Sequence, residues 1–318
     1  MSKLRTVFCR DEGFEYVSRY VTGLVISPNK TLQGIYDLQV WEEEPPTRRA
    51  MHQAVFESGW DFQELMRQHR KSVSLEHRGS GIEVISLDWT FSHHDRGEEI
   101  YGVKKRYDYV EKRMSKYQTV VTAAISNSSF IDGLDVVVQE PNYEKEEELY
   151  LKATAKESYD QMESSRKRLL EILYHQKNKK EYKKRTEIAL EIVEQIEKEG
   201  EFPSANYAFD NGVLSLDLTR FIESCDKHWV SEIECSRHIQ WYGNWTRVDE
   251  VAEQLREEHS ESFRHKKVRC RNGEVKDFWV FTKVVRLKRY GPKRLAIVHE
   301  TEDLSDTLTC PRKTGHLA

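Results

Sequence analysis

Apolar positions along this chain change period several times, and each change marks an element. From Thr47 to His77, Met51, Ala54, Val55, Trp60, Phe62, Leu65 and Met66 recur at roughly helical spacing, broken at Ser58-Gly59, which predicts two short helices. Residues 1–30 carry only weak signals. Gly79-Ser80-Gly81 reads as a hinge into the run VISLD, a predicted strand ending on Asp88. Runs rich in Val, Thr, Ile and Ala from Thr119 to Ser126 and from Leu134 to Gln139 predict two further strands of a meander, turning at Ile131-Asp132-Gly133. Glu and Lys dominate residues 144–200, where a charged helical excursion precedes one helix with Ile188, Ile192, Val193 and Ile196 on its packing side. Glu201-Phe202-Pro203 ends that helix, and a strand follows from Asn206 to Phe209 with Asp210 at its carboxyl end. An amphipathic helix over Leu214 to Cys225 and a strand over His228 to Ile233 complete this part.

Three strands, a helix, a strand, a helix and a strand is the order of a ribonuclease-H-like core, so the expected class is mixed α/β. The expected organisation has a helical N-terminal region over 1–80, a candidate for DNA binding, and the core over 81–238, which includes the excursion 144–200. A basic β-rich insertion over 239–306 follows, with strands in KDFWVFTKVVRLKRY and KRLAIVHE around Gly291-Pro292, and then an aberrant tail over 307–318.

Composition narrows the class. At 318 residues, 38% hydrophobic and 33% charged, the chain buries a real core and keeps a heavily charged surface. No run of about 18 apolar residues is present, so no membrane partner is expected. Acids and an arginine in MSKLRTVFCRDEGFEY interrupt the apolar core that a signal peptide needs; residence in the cytoplasm, with the nucleoid, is the expectation. Cys9, Cys225, Cys235, Cys270 and Cys310 are odd in number and scattered, which argues against a disulfide framework.

Net charge is −4, which by itself disfavours a nucleic-acid partner, but its distribution reverses that reading. Arg264 to Arg294 holds twelve Lys or Arg against two acids, Glu274 and Asp277. Lys267, Arg269, Arg271, Lys283, Arg286, Lys288, Arg289, Lys293 and Arg294 are the candidate phosphate contacts, with Trp279 as a candidate for stacking on a base. Lys104, Lys105, Arg106, Lys112 and Arg113 are expected to extend that surface. A helix-turn-helix reading of the N-terminal helices uses Arg48 and Arg49, then Arg67, Arg70 and Lys71. Two carboxylates at strand ends, Asp88 and Asp210, are the candidate metal ligands, because hard oxygen donors hold the divalent ions used in phosphoryl transfer. Cys225 with His228 and Cys235 with His238 form a rival zinc constellation, weakened by the apolar strand between them. His93 and His94 read as exposed loop residues.

These residues resemble a bacterial insertion-sequence transposase of the DDE type, close to the insertion-sequence-four group. The likeness rests on Asp88-Trp89-Thr90 with the following RGEEIYGVKKRYDYVEKRMSKYQTVVTAAIS, on Asp210 in YAFDNG, and on the helical stretch with Met51, Phe56 and Trp60. It spans about Thr47 to Ser305. It implies a DNA transposase in which Asp88 and Asp210 are catalytic and hold Mg²⁺ or Mn²⁺, acting as a homodimer on double-stranded DNA at transposon ends. That family also carries a third acid, a Glu on a late helix in a Y-x-x-R-x-x-x-E pattern. Around Tyr290 this pattern fails: position 297 is Ile, and Gly291-Pro292 forbids a helix. Glu300 and Glu302 follow a strand instead. The resemblance therefore implies a chain truncated before the third acid and impaired in strand transfer, with a non-catalytic DNA-binding remnant or inhibitor as the alternative.

Overall fold

A computed structural model describes residues 2–38, 47–77, 81–94, 100, 102–108, 111–154, 166, 168–170, 172–173, 181–270, 273–305 and 316–317. The chain divides into two compact units, Met1–Gly79 and Ser80–Ala318.

In the first unit a 3-10 segment, Ser2–Val7, precedes helices α1 (Asp11–Ile26), α2 (Leu32–Asp37), α3 (Arg48–His52) and α4 (Phe62–His77), with one π turn, Gln53–Glu57, running on from α3. The break expected at Ser58-Gly59 is present, and the Ser58 N–H closes the π turn on the Gln53 carbonyl at 2.8 Å. Helix α1 falls where the sequence carries weak signals. Its Val17 joins Val7 and Phe8 in a small core against Phe14, Val55, Trp60 and Leu65. Gly23 of α1 sits directly on Ile35 of α2, and a Cβ there would strike that fully buried side chain.

The second unit is built on one continuous sheet. Its elements in chain order are β1 (Val84–His93), β2 (Lys104–Asp108), β3 (Arg113–Ser126), β4 (Ile131–Val138), α5 (Tyr143–Thr154), α6 (Arg185–Glu199), β5 (Asn206–Phe209), α7 (Leu216–Ser224) and β6 (Trp229–Glu232). There follow β7 (His238–Trp241), β8 (Asn244–Arg247), α8 (Val248–Glu258), β9 (Arg264–Arg269), β10 (Val275–Leu287), β11 (Gly291–His299) and β12 (His316–Leu317). The strand order is β2-β3-β1-β5-β6-β12-β11-β10-β7-β8, with β4 on β3 and β9 on β10. β3 runs antiparallel to β1, whereas β5 and β6 run parallel to it. The fold is thus mixed α/β. Residues 239–305 continue the same sheet, and residues 316–317, within the stretch expected to be an aberrant tail, pair between β6 and β11.

Two predicted boundaries move. The first strand does not end on Asp88; it continues through Thr90 and Phe91 to His93, because β3 is long enough to pair every residue from Val84↔Ser126 to His93↔Tyr117. Ile131-Asp132-Gly133 is strand rather than turn. The reversal lies at Asn127–Phe130, where the Asn127 side chain accepts the N–H groups of Ser129 and Phe130 at 2.7 and 3.0 Å.

Alternation sorts the sheet into two faces. Ile85, Leu87, Tyr207, Phe209, Trp229 and Ser231 are buried on one. That face meets the helices: Tyr207 donates its hydroxyl to Glu197 of α6 at 2.5 Å and Trp229 donates its indole N–H to Glu223 of α7 at 2.8 Å. Ile188, Ile192, Val193 and Ile196 of α6 are all buried, as their spacing predicts. Ser86, Asp88, Thr90 and Val230 are exposed on the opposite face. Among the described residues no helix is long and apolar enough to cross a membrane.

Candidate carboxylate face

The parallel register from Val84↔Asn206 to Leu87↔Phe209 places Asp88 and Asp210 side by side one step further on. Register from Tyr207↔Trp229 to Phe209↔Ser231 places Glu232 next to Asp210 in the same way. Partners across a ladder share a face, so the three acids form a row on the exposed side of β1, β5 and β6. Burial pushes the Asp210 carboxyl above its ordinary range, and the Asp88 charge adds to this, with a smaller contribution from Glu232. The Gly212 N–H, donated to Asp210 Oδ1 at 3.0 Å, works in the opposite direction. Asp88 is exposed and its Oδ1 accepts the Trp89 N–H at 2.7 Å.

Local sequence explains the pairing. The apolar NYAF strand is buried on alternate residues and stops at Asp210, and the Asn-Gly after it folds close to β1. Trp89 points to the helix-covered side, where the guanidinium of Arg185 at the start of α6 lies 3.7 Å over its ring. Gly212 abuts the Trp89 indole nitrogen so closely that a Cβ at 212 has no room.

Glu232 is not among the acids expected from the sequence, where the third acid belongs to a late helix. Its signal was a Glu ending a short apolar strand directly after the Asp210 strand. Glu300 and Glu302 are exposed beyond β11, as expected of residues that follow a strand.

The basic segment is less unified than its composition implies. Within β9, β10 and β11 the unbroken register puts Arg264, Lys266, Lys276, Arg286 and Arg294 on one side, all exposed. Lys267, Arg269 and Lys283 fall on the other side. Lys283 packs its ammonium 4.2 Å over the Trp241 ring, and Lys293 is paired with Glu223 at 2.8 Å. Lys288 and Arg289 are exposed in the turn before Gly291, and Arg271 lies outside the described residues. Trp279 is half-buried with one ring face stacked on His265 at 4.9 Å. A strand period of two splits any run of consecutive basic residues, so the nine predicted contacts do not share one surface. Arg264, Lys266 and Lys276, which are not among those nine, lie on the side that carries Arg286 and Arg294.

Pairing across the sheet relates the two regions. Glu232 pairs with residue 316, residue 316 with Ala296, and Ala296 with Thr282. The Arg264, Lys266, Lys276, Arg286 and Arg294 side is therefore the same side of the continuous sheet as the acids.

Arg70 is 0% exposed, so it cannot read DNA from the N-terminal helices, while Arg48, Arg49, Arg67 and Lys71 are exposed. The two Cys/His pairs do not assemble: Cys225 caps α7, Cys235 is buried beyond β6, and no donor group among the described residues contains them. Cys9, Cys225, Cys235 and Cys270 are free thiols, and Cys310 lies outside the described residues. His93 is exposed but ends β1 rather than lying in a loop, and His94, in the loop directly after it, is half-buried with Nε2 2.9 Å from Gln118 Oε1. Arg106 and Arg113 face Glu146 and Glu111 at 3.7 and 2.6 Å. No family model matches the chain, and no curated protein matches its sequence.

Proposed function

We infer that the chain is a transposase of the DDE type on a ribonuclease-H-like core, cutting double-stranded DNA at the ends of a mobile element as a homodimer. Asp88 and Asp210 are its catalytic carboxylates and hold Mg²⁺ or Mn²⁺. One observation carries this reading: a row of acids and a row of cations share the exposed side of a single sheet, so a polyanion lying on the cations reaches the acids. The donor set suits a hard divalent ion, because burial and the neighbouring Asp88 charge favour protonation of Asp210 and a cation between the two carboxylates offsets this. When bound, the ion supplies Lewis-acid stabilisation of the phosphoryl oxygens and a more acidic nucleophile. The chain's own contribution is orientation. Adjacent parallel strands fix the spacing of Asp88 and Asp210, Gly212 holds one oxygen of Asp210, and Arg286 and Arg294 neutralise phosphates alongside.

A second reading, a non-catalytic DNA-binding protein derived from such an enzyme, is favoured by a separate fact. Among the described residues, Asp88, Asp210 and Glu232 do not bring three donor atoms within 4.8 Å of one another. The test is cleavage of duplex DNA from either side of the chain's own reading frame, with Mg²⁺ or Mn²⁺. Cutting that falls by about a thousandfold or more in Asp88→Ala and Asp210→Ala supports the enzyme. Salt-sensitive binding without cutting supports the second reading, and failure to bind or cut defeats both.

A further inference from the structure

His93, Asp108 and Glu111 each bring one ligand atom to within 4.8 Å of the others. They come from the end of β1, the end of β2 and the turn into β3, and none belongs to the Asp88 row. His93 Nε2 lies 2.5 Å from Asp108 Oδ2 and 3.9 Å from Glu111 Oε1. In a tetrahedral zinc site with bonds of about 2.0–2.1 Å, neighbouring ligand atoms are about 3.3–3.4 Å apart. The two observed separations straddle that spacing, and side-chain shifts of under about 1 Å equalise them.

The remaining oxygens are used to aim the ligands. Asp108 Oδ1 accepts the Glu111 N–H at 3.0 Å, and Glu111 Oε2 accepts from Arg113 Nε at 2.6 Å. Ser115 Oγ, 3.4 Å from Asp108 Oδ2, steadies the inner oxygen. Outer partners of this kind orient metal ligands and raise their affinity. Asp108 is fully buried, and with the His93 imidazole and the Glu111 carboxylate it presents one nitrogen and two oxygen donors to a common point. Such a donor set suits a divalent ion. The imidazole nitrogen favours zinc-class transition ions over Mg²⁺.

We propose that His93, Asp108 and Glu111 form a zinc-class metal site, a clasp that pins the end of β1 to the β2–β3 hairpin. Its fourth position is open to water. Titration calorimetry of the chelator-stripped full chain with Zn²⁺, and with Mg²⁺ for comparison, tests it. One equivalent of Zn²⁺ binds the wild type and the Asp88→Asn/Asp210→Asn double variant alike, and Mg²⁺ binds this site far more weakly. Affinity drops about tenfold to a hundredfold or more in His93→Ala and in the exposed Glu111→Gln, which leaves buried Asp108 intact. Zn²⁺ raises the melting temperature of the wild type and not of His93→Ala. A wild type that takes up no Zn²⁺, or uptake unchanged by both substitutions, overturns the proposal.

Discussion

Individual acids set the electrostatics of the exposed sheet face. Burial first, then the Asp88 charge, raises the folded-state pKa of Asp210 above its ordinary value of 3.8. Between that ordinary value and the raised one the folded chain binds more protons than the unfolded chain, so stability falls as pH rises through this window. Above that window the Asp210 charge sits beside the Asp88 charge and is a liability without a counter-ion. Asp210→Asn, which keeps an oxygen to accept the Gly212 N–H, is expected to raise the melting temperature at pH 7 in chelator and to flatten the decline above pH 4. Mg²⁺ or Mn²⁺ should stabilise the wild type and not this variant; thermal melts across pH, with and without metal, check both. A separate network, buried under the sheet, is structural. Lys227 binds Glu197 at 2.9 Å and donates to the Phe202 carbonyl at 2.7 Å, while Tyr207 donates to the same Glu197. Burial and Glu197 hold the Tyr207 hydroxyl protonated throughout the accessible pH range. Lys227→Met leaves Glu197 without its cation and is expected to cost about 3–5 kcal/mol in denaturant unfolding.

Elements place those residues. Much of the order was legible: the strand Asn206–Phe209 stands where predicted, and the spacing of Ile188, Ile192, Val193 and Ile196 gives the packing stripe of α6. Truncating the stripe with Ile192→Ala should cost about 2–5 kcal/mol by chemical denaturation. Other elements were not legible, for physical reasons. The end of β1 is set by the length of its partner β3, a pairing across distant sequence that no window around Asp88 contains. The Asn127 side chain decides the next reversal against a better-looking Asp-Gly pair. Gly212 reads as a turn glycine, yet its constraint is the approach of Trp89 from another strand. Gly212→Ala is expected to destabilise by about 1–3 kcal/mol through overpacking and to displace Asp210. Loss of metal-induced thermal stabilisation larger than the fall in stability alone explains would report that displacement.

At the scale of the whole molecule, the sheet's two sides divide labour. One is packed under α6 and α7, and the other carries Asp88, Asp210 and Glu232 along with the cations of β9, β10 and β11. Neutralising Arg264, Lys266 and Lys276 together should reduce the slope of log affinity for DNA against log salt by about three, whereas Lys283→Gln on the packed side should leave it nearly unchanged. Fluorescence anisotropy over a salt series measures both.

The amino-acid pattern by itself gave the strand Asn206–Phe209, the packing stripe of α6, the place where positive charge concentrates, and the β-rich runs that carry Asp88 and Asp210. Such properties are local, written in periods of two and 3.6 residues and in composition. Tertiary pairing alone decided that Asp88, Asp210 and Glu232 share a face, that Arg70 is buried, that consecutive cations separate onto opposite sides, and that His93 meets Asp108 and Glu111. Those facts depend on register between segments far apart in the chain, where a slip of one residue turns every side chain to the other face.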